Sequence, residues 1–196
     1  GPHLWQVQDL TKRRRSVKDW RDHWDNTVTL DTEELIALGL RTESNQFRWR
    51  IPTARPIQLP ENTLPVDPYI YGLWLGDGSL ANGNLYGNMT TKAFYRNVLD
   101  QTGFPGGVKQ DSRMNGAYTF RATGLKKALE THGLFSKKGI DNRYLWSSET
   151  QRRELLAGLM DSDGFAGVTG SGLDMTNEPL LRDVAQLIRS LGVKVN

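Results

Sequence analysis

The feature that most constrains this 196-residue chain is that it repeats itself. With a displacement of 86 residues, Gly72-Leu73 falls on Gly158-Leu159, Asp77-Gly78 on Asp163-Gly164 and Met89-Thr90 on Met175-Thr176. Phe94 meets Leu180, Arg96 meets Arg182, Asn97 meets Asp183 and Val98 meets Val184, all without a gap. A one-residue slip then puts Gly107-Val108-Lys109 on Gly192-Val193-Lys194. Self-similarity at a fixed offset marks a supersecondary unit used more than once. Local signals describe that unit. Asp67 and Pro68 open a helix through YIYGLWLGD, with Gly78 expected as its left-handed stop. Asn82-Gly83 predicts a hairpin. Residues 91–102 read as a helix with Phe94, Val98 and Leu99 on one face. Asn115-Gly116 separates strand-like runs at 107–113 and 117–122, and residues 124–133 read as a short helix. A capping box from Ser148 to Gln151 opens the next helix, RRELLAGLMDSD, which ends at Gly164. The unit is therefore helix, two strands, helix, two strands, helix, an αββαββα pattern in the α+β class. Copy one spans 66–147 and copy two 148–196. Copy two reaches its Gly-Val-Lys only at the end of the sequence, so it reads as incomplete by roughly 20 to 25 residues.

Ahead of the repeat, residues 1–65 read as a basic lead-in and connector. Gly1-Pro2 resembles a protease-tag remnant and is set aside. Residues 12–21, KRRRSVKDWR, are basic at six of ten positions. Lys12, Arg13, Arg14 and Arg15 are candidates for an arm that contacts nucleic-acid phosphates, because clustered cations release counterions from that backbone. A short helix capped near Asp31 or Thr32 is expected to run through Leu38. Pro52, Pro56, Pro60, Pro65 and Pro68 then impose an extended connector. The whole chain carries 25 Lys+Arg against 22 Asp+Glu, a net charge of only +3. Charge placement therefore matters more than the average. The chain has no cysteine, which excludes disulfide scaffolds, thiolate zinc sites and cysteine nucleophiles. No apolar run approaches membrane-span length, so a membrane partner is not expected and a cytoplasmic location is.

The two repeat helices carry the chemistry. Gly72 and Gly76 stand four residues apart on the first, and Gly158 and Ser162 occupy the matching places on the second. Small residues at that spacing let two helix backbones approach closely. Each helix ends in Asp-Gly, so a close crossing brings Asp77 and Asp163 together. Two carboxylates at the negative ends of two helix dipoles repel. A divalent cation between them removes the conflict, and carboxylate and carbonyl oxygens suit Mg²⁺. Such ions can activate water and stabilise the leaving oxygen of a phosphodiester. Asp161 is a third acid, but its copy-one counterpart is Leu75, which points to a structural or surface role.

YGLWLGDGS (71–79) and LLAGLMDSDGF (155–165) resemble the two signature motifs of the LAGLIDADG homing endonucleases, of the type inserted in inteins. The resemblance covers residues 64–196. It implies a pseudo-twofold fold with the motif helices packed at the centre and a saddle of antiparallel strands in each half gripping duplex DNA. It implies that Asp77 and Asp163 are metal-binding catalytic acids, with the carbonyls of Gly76 and Ser162 as auxiliary ligands. Lys138, in Lys138-Gly139-Ile140-Asp141, stands 25 residues before Asp163, where the family places a catalytic lysine. Asp141 replaces the usual proline. A cationic amine there can neutralise developing charge on phosphorus.

On the second hairpin of copy one, Lys109, Gln110, Arg113, Tyr118 and Arg121 are candidate DNA contacts, of which strand alternation allows about half to face one side. His3-Leu4-Trp5 echoes the region around the splicing histidine of inteins, but the chain has neither a nucleophilic first residue nor a His-Asn end. The expected activity is therefore Mg²⁺-dependent, staggered double-strand cleavage at a specific site, by an intein-encoded enzyme acting as a monomeric pseudo-dimer. A second chain supplying the missing C-terminal part is the variant. The alternatives are a degenerate module that binds DNA without cutting and a fragment of a protein-splicing intein.

Overall fold

A computed structural model of the chain describes residues 3–12, 27–52, 54–88, 90–110, 116–136, 139–168 and 170–195. The chain forms two compact units, Gly1–Ala54 and Arg55–Asn196.

The first unit contains β1 (Leu4–Asp9), a 3-10 turn (Leu10–Lys12), β2 (Thr27–Asp31), α1 (Thr32–Ala37) and β3 (Trp49–Arg50). Its sheet runs β2-β1-β3, antiparallel throughout. The expected lead-in thus contains a folded sheet. Trp5 and Val7 pair across with Leu30 and Val28, one face of a period-two pattern, and Val7 is buried. Asp31 caps α1 in a capping box with Glu34. An ion pair ties the sheet to the following loop. Arg48 Nη2 lies 2.7 Å from Asp9 Oδ2, its Nε reaches both carboxylate oxygens at 3.2 Å, and Nη1 donates to Leu38 O. The guanidinium holds the Asp9 carboxyl at about 2, well below its ordinary 3.8.

The second unit runs through α2 (Pro68–Asp77), β4 (Leu85–Asn88), α3 (Lys92–Gln101), β5 (Val108–Gln110), β6 (Ala117–Phe120), α4 (Leu125–Thr131), α5 (Asn142–Leu145), α6 (Glu149–Asp163), β7 (Gly164–Gly167), β8 (Gly170–Leu173) and α7 (Glu178–Ser190). β4-β6-β5 form one antiparallel sheet and β7-β8 another. This is a mixed α+β architecture with small sheets. Helix α2 is apolar on every side, and Ile70, Leu73, Trp74 and Leu75 are all buried, so it lies within the core. Leu85, Phe120, Leu125, Leu155 and Leu159 surround it.

Two local expectations change. Gly78 is not left-handed: φ is −79° and ψ 148°, an extended residue. Its glycine is required because a Cβ there would strike the Trp74 ring and carbonyl. Gly164 repeats this at the end of α6, with φ −84° and a Cβ position 2.7 Å from Met160 Cα. The first hairpin of copy one is also reduced. The strand expected before Asn82-Gly83 is a single bridge, Gly78 to Leu85, because Ser79 N–Asn84 O and Gly83 N–Ser79 O, both 2.8 Å, close a tight turn instead.

The connector expected to end at residue 65 belongs to this unit from residue 55 onward. Ile57 N donates to Ser190 O at 2.9 Å, and Asn62 exchanges hydrogen bonds with the Gln151 side chain. Val66 is bracketed by the Tyr144 hydroxyl, which accepts from its N–H and donates to its carbonyl. Arg152, fully buried, gathers three segments: its guanidinium donates to the carbonyls of Ser147, Ser190 and Ile57 and to the Ser190 hydroxyl. A buried charge needs this complete set of acceptors.

Two outcomes are expected. The Asp9 carboxyl has a folded pKa below its unfolded one, so the Asp9–Arg48 pair stabilises the first unit above the ordinary carboxylate pKa. That contribution fades as pH falls from 3.8 toward about 2. Amide NMR signals of β1 will broaden or shift over this window in the wild type and will not show that transition in Asp9→Asn. Replacing Arg152 with methionine orphans three carbonyls and lowers the urea-unfolding stability of the second unit by about 3 kcal/mol. Arg152→Lys recovers only part, since an ammonium cannot span all three acceptors.

Candidate functional site

The site is built where α2 and α6 touch. A Cβ on Gly72 would overlap the Leu155 carbonyl oxygen and come within 3.1 Å of Gly158 Cα. One on Gly158 would overlap the Tyr69 carbonyl and lie 2.8 Å from Leu73 N. One on Gly76 would lie 2.7 Å from Ser162 Cβ and 3.2 Å from Asp163 Oδ2. The four small residues therefore line one continuous backbone contact. The helices run out of it together, and their last residues are Asp77 and Asp163, both half-buried. The Ser162 hydroxyl donates back to the carbonyls of Gly158 and Leu159 in its own helix, each at 3.0 Å.

Around this pair the structure adds a residue that the sequence does not single out. The Tyr95 hydroxyl, on α3, donates to Asp77 Oδ2. Burial first, and then that hydrogen bond and the nearby charges of Asp77 and Asp163, push its pKa far above the phenol value, so it remains a donor. Tyr69 on α2 donates to Asp161 Oδ2 across the helix pair at 2.6 Å, which gives Asp161 its structural partner. The Tyr69 hydroxyl is likewise raised, by burial and then by Asp161. Both tyrosines lie at helical positions that read as ordinary core residues, so sequence pattern alone carries no signal for them.

Among the described residues no group of three or more His, Asp or Glu side chains is arranged to hold a metal. The donors that the sequence resemblance assigns to a cation here are two carboxylates with the carbonyls of Gly76 and Ser162. That all-oxygen set matches Mg²⁺, which keeps much of its water and takes one or two carboxylates. The cradle at Gly76, which a methyl group would fill, keeps the Asp163 carboxylate close to the end of α2.

The remaining expected site residues divide. Lys138 and Arg113 lie outside the described residues, as do Arg13, Arg14 and Arg15, and Lys12 is described in its backbone only. The residues after Lys138 pack on α7, where Ile140 N donates to Asp183 Oδ2 at 2.8 Å. Asp141 caps α5 and pairs with Arg143 at 2.8 Å, with the carboxyl held below its usual range by that guanidinium. In the three-stranded sheet, register sorts the other candidates. Tyr86, Thr119 and Lys109 form one cross-strand row, while Gly87, Tyr118 and Gln110 form a row of opposite facing. Lys109 and Arg121 are exposed. Tyr118 is not a surface contact: it is 6% exposed, packs in the core and sits under Lys92 Nζ at 5.4 Å. Gln110 shares its row at the open edge strand.

No protein-family model matches the chain. The replicative DNA helicase DnaB of Mycobacterium intracellulare is 36% identical to it over 200 residues, covering 98% of this chain and 32% of the helicase. The chain thus spans about a third of the length of that relative. The similarity overturns the expected function of a site-specific, double-strand-cutting homing endonuclease. What the chain resembles along nearly its whole length is a stretch of a replicative helicase.

The helix contact makes one testable demand. Gly76→Ala drives a methyl into Ser162 and destabilises the second unit by about 1–3 kcal/mol. Ser162→Gly alone costs about 1 kcal/mol through helix propensity. Combined, they should cost no more than Ser162→Gly alone, to within about 0.5 kcal/mol. Urea unfolding of the four proteins measures the cycle, and strict additivity would show that Gly76 and Ser162 are not in contact.

Proposed function

We propose that this chain is an intein-type segment carried within a DnaB-type replicative helicase and that its second unit engages DNA. The observation that carries this reading is the match of 98% of the chain to about a third of such a helicase. A motor driven by nucleotide hydrolysis uses a phosphate-cradling G-x-x-x-x-G-K-[ST] loop. That pattern does not occur in these 196 residues, so the segment is read as a passenger of the helicase and not its motor. The work of a replicative helicase on DNA gives the whole protein its partner class and sets it in the bacterial cytoplasm. Among the described residues no helix is long and apolar enough to cross a membrane.

In this reading residues 66–196 adopt the pseudo-twofold LAGLIDADG arrangement about the α2–α6 contact. The face of the β4-β6-β5 sheet that carries Tyr86, Thr119 and Lys109, with Arg121 just beyond β6, lies along the duplex. Lys109 and Arg121 supply phosphate contacts, which position a protein without reading sequence. Asp77 and Asp163, with the carbonyls of Gly76 and Ser162, would hold Mg²⁺, which would offset the repulsion of two acids at two helix C-termini.

Fluorescence anisotropy of a labelled duplex, titrated across a salt series, tests this. Binding should weaken steeply with salt. The Lys109→Ala/Arg121→Ala double variant should bind more weakly on every sequence and lower the salt slope by about 2. Absence of duplex binding even at about 50 mM salt would remove the DNA-engaging role.

A further inference from the structure

The two copies differ in what lies on the outer face of their second helix. In copy two, on α7, the chain itself occupies that face. Ile140 N donates to Asp183 Oδ2 at 2.8 Å, and a Cβ on Gly139 would lie 2.5 Å from the same oxygen. A chain segment is thus seated through a backbone N–H, and Asp183 is half-buried. The displacement of 86 residues carries Asp183 back onto Asn97 of α3, which is exposed. Here the equivalent face is an open cavity of about 480 Å³, lined by Lys92, Ala93, Arg96, Asn97 and Asp100.

The charge of the face changes as well. On α7, Glu178 pairs with Arg182 one turn along, at 2.6 Å. Their counterparts on α3 are Lys92 and Arg96, two cations at the same spacing, where like charges repel. Lys92 Nζ sits 5.4 Å from the centre of the Tyr118 ring, and Arg96 is exposed. Asp100, a further turn along, offsets only one of these charges, so the lining stays positive. The exchange of Asp183 for Asn97 adds a donor, since a carboxylate only accepts whereas an amide both accepts and donates. Tyr95 packs α3 onto Phe120, with ring centroids 4.9 Å apart, against the sheet face opposite to Tyr86, Thr119 and Lys109. A partner on the outer face of α3 therefore leaves that row clear.

We propose that the α3 cavity docks an extended acidic segment of a partner protein, seated as residues 139–140 are seated on α7. Asn97 bonds its backbone, and Lys92 and Arg96 take its carboxylates. A polypeptide fits better than a nucleic-acid strand, because the matching place on α7 holds a backbone N–H. Asp100 in the lining also opposes a strand with a charge on every residue. This inference goes beyond the DNA reading and does not rest on it.

The test uses the whole chain and three fluorescein-labelled probes: an octapeptide of alternating Gly and Glu, its Gly and Gln analogue, and octathymidylate. Anisotropy gives the affinity, and amide NMR shifts give the place. The Glu peptide should bind about tenfold more tightly than the Gln peptide, less so as salt rises, and shift the amides of residues 92–100. Arg96→Glu, a change at an exposed position, should weaken it about tenfold with an unchanged thermal midpoint, and Asp100→Asn should tighten it about threefold. Lys109→Ala/Arg121→Ala should leave peptide binding as in the wild type. No shift at residues 92–100 with millimolar Glu peptide would overturn the proposal, as would wild-type affinity in Arg96→Glu. An equal response to the Gln peptide would remove the acidic specificity. Displacement of the Glu peptide from residues 92–100 by octathymidylate would replace the protein partner with nucleic acid.

Discussion

The second unit depends on the approach of two helix backbones. Where Gly72 and Gly76 of α2 meet Gly158 and Ser162 of α6, the separation is too small for a larger side chain on either helix. Everything near the site follows from that approach. It sets the two terminal aspartates side by side, and it brings Tyr69 within reach of Asp161. It also surrounds α2 with apolar neighbours on all faces, which accounts for a helix with no polar stripe. Close helix contact is normally associated with dispersion and shape fit. Here it also sets the last residues of the two helices, Asp77 and Asp163, at one end of the contact.

A second constraint works at the other end of α6. Arg152 anchors the connector at Ile57, the loop at Ser147 and the end of α7 at Ser190. No carboxylate is among these hydrogen-bond acceptors; the guanidinium is solvated by carbonyl dipoles. Burial lowers its pKa, partly offset by the nearby Glu149 carboxylate, but from a very high starting value, so the charge persists through the physiological range. One end of α6 is thus fixed by polar ties and the other by the absence of side chains.

Much of this layout was legible in the sequence, for identifiable reasons. The helices, the capping box at Ser148 and the small-residue faces depend on local pattern and on the repeat. Three things were not legible. The sheet of the first unit joins β1 to a two-residue β3 some 40 positions away, and its register has no local marker. The stops at Gly78 and Gly164 look identical to left-handed caps in sequence, but glycine is needed there to clear the preceding turn. Tyr118, Tyr95 and Arg152 take their roles from partners brought in by tertiary folding, so Tyr118, expected as a DNA contact, proves to be core, and Tyr95, which no motif singles out, holds an aspartate. The function expected from the paired motifs was corrected by similarity along the whole chain, since a motif names a local geometry and not the protein that carries it.

The all-apolar character of α2 also bears on how the chain comes to be folded. Its partner surface on α6 lies 86 residues further along the sequence, so the contact closes a long loop. During synthesis α2 emerges first, and its small-residue face has no partner until α6 follows, although β4, β6 and α4 supply apolar neighbours earlier. The pairing is non-local, and such contacts slow folding because the loop must close before burial rewards it. The glycine face of the central helix therefore stays uncovered until α6 is made, and the interval before that closure leaves apolar surface of the growing chain open to aggregation.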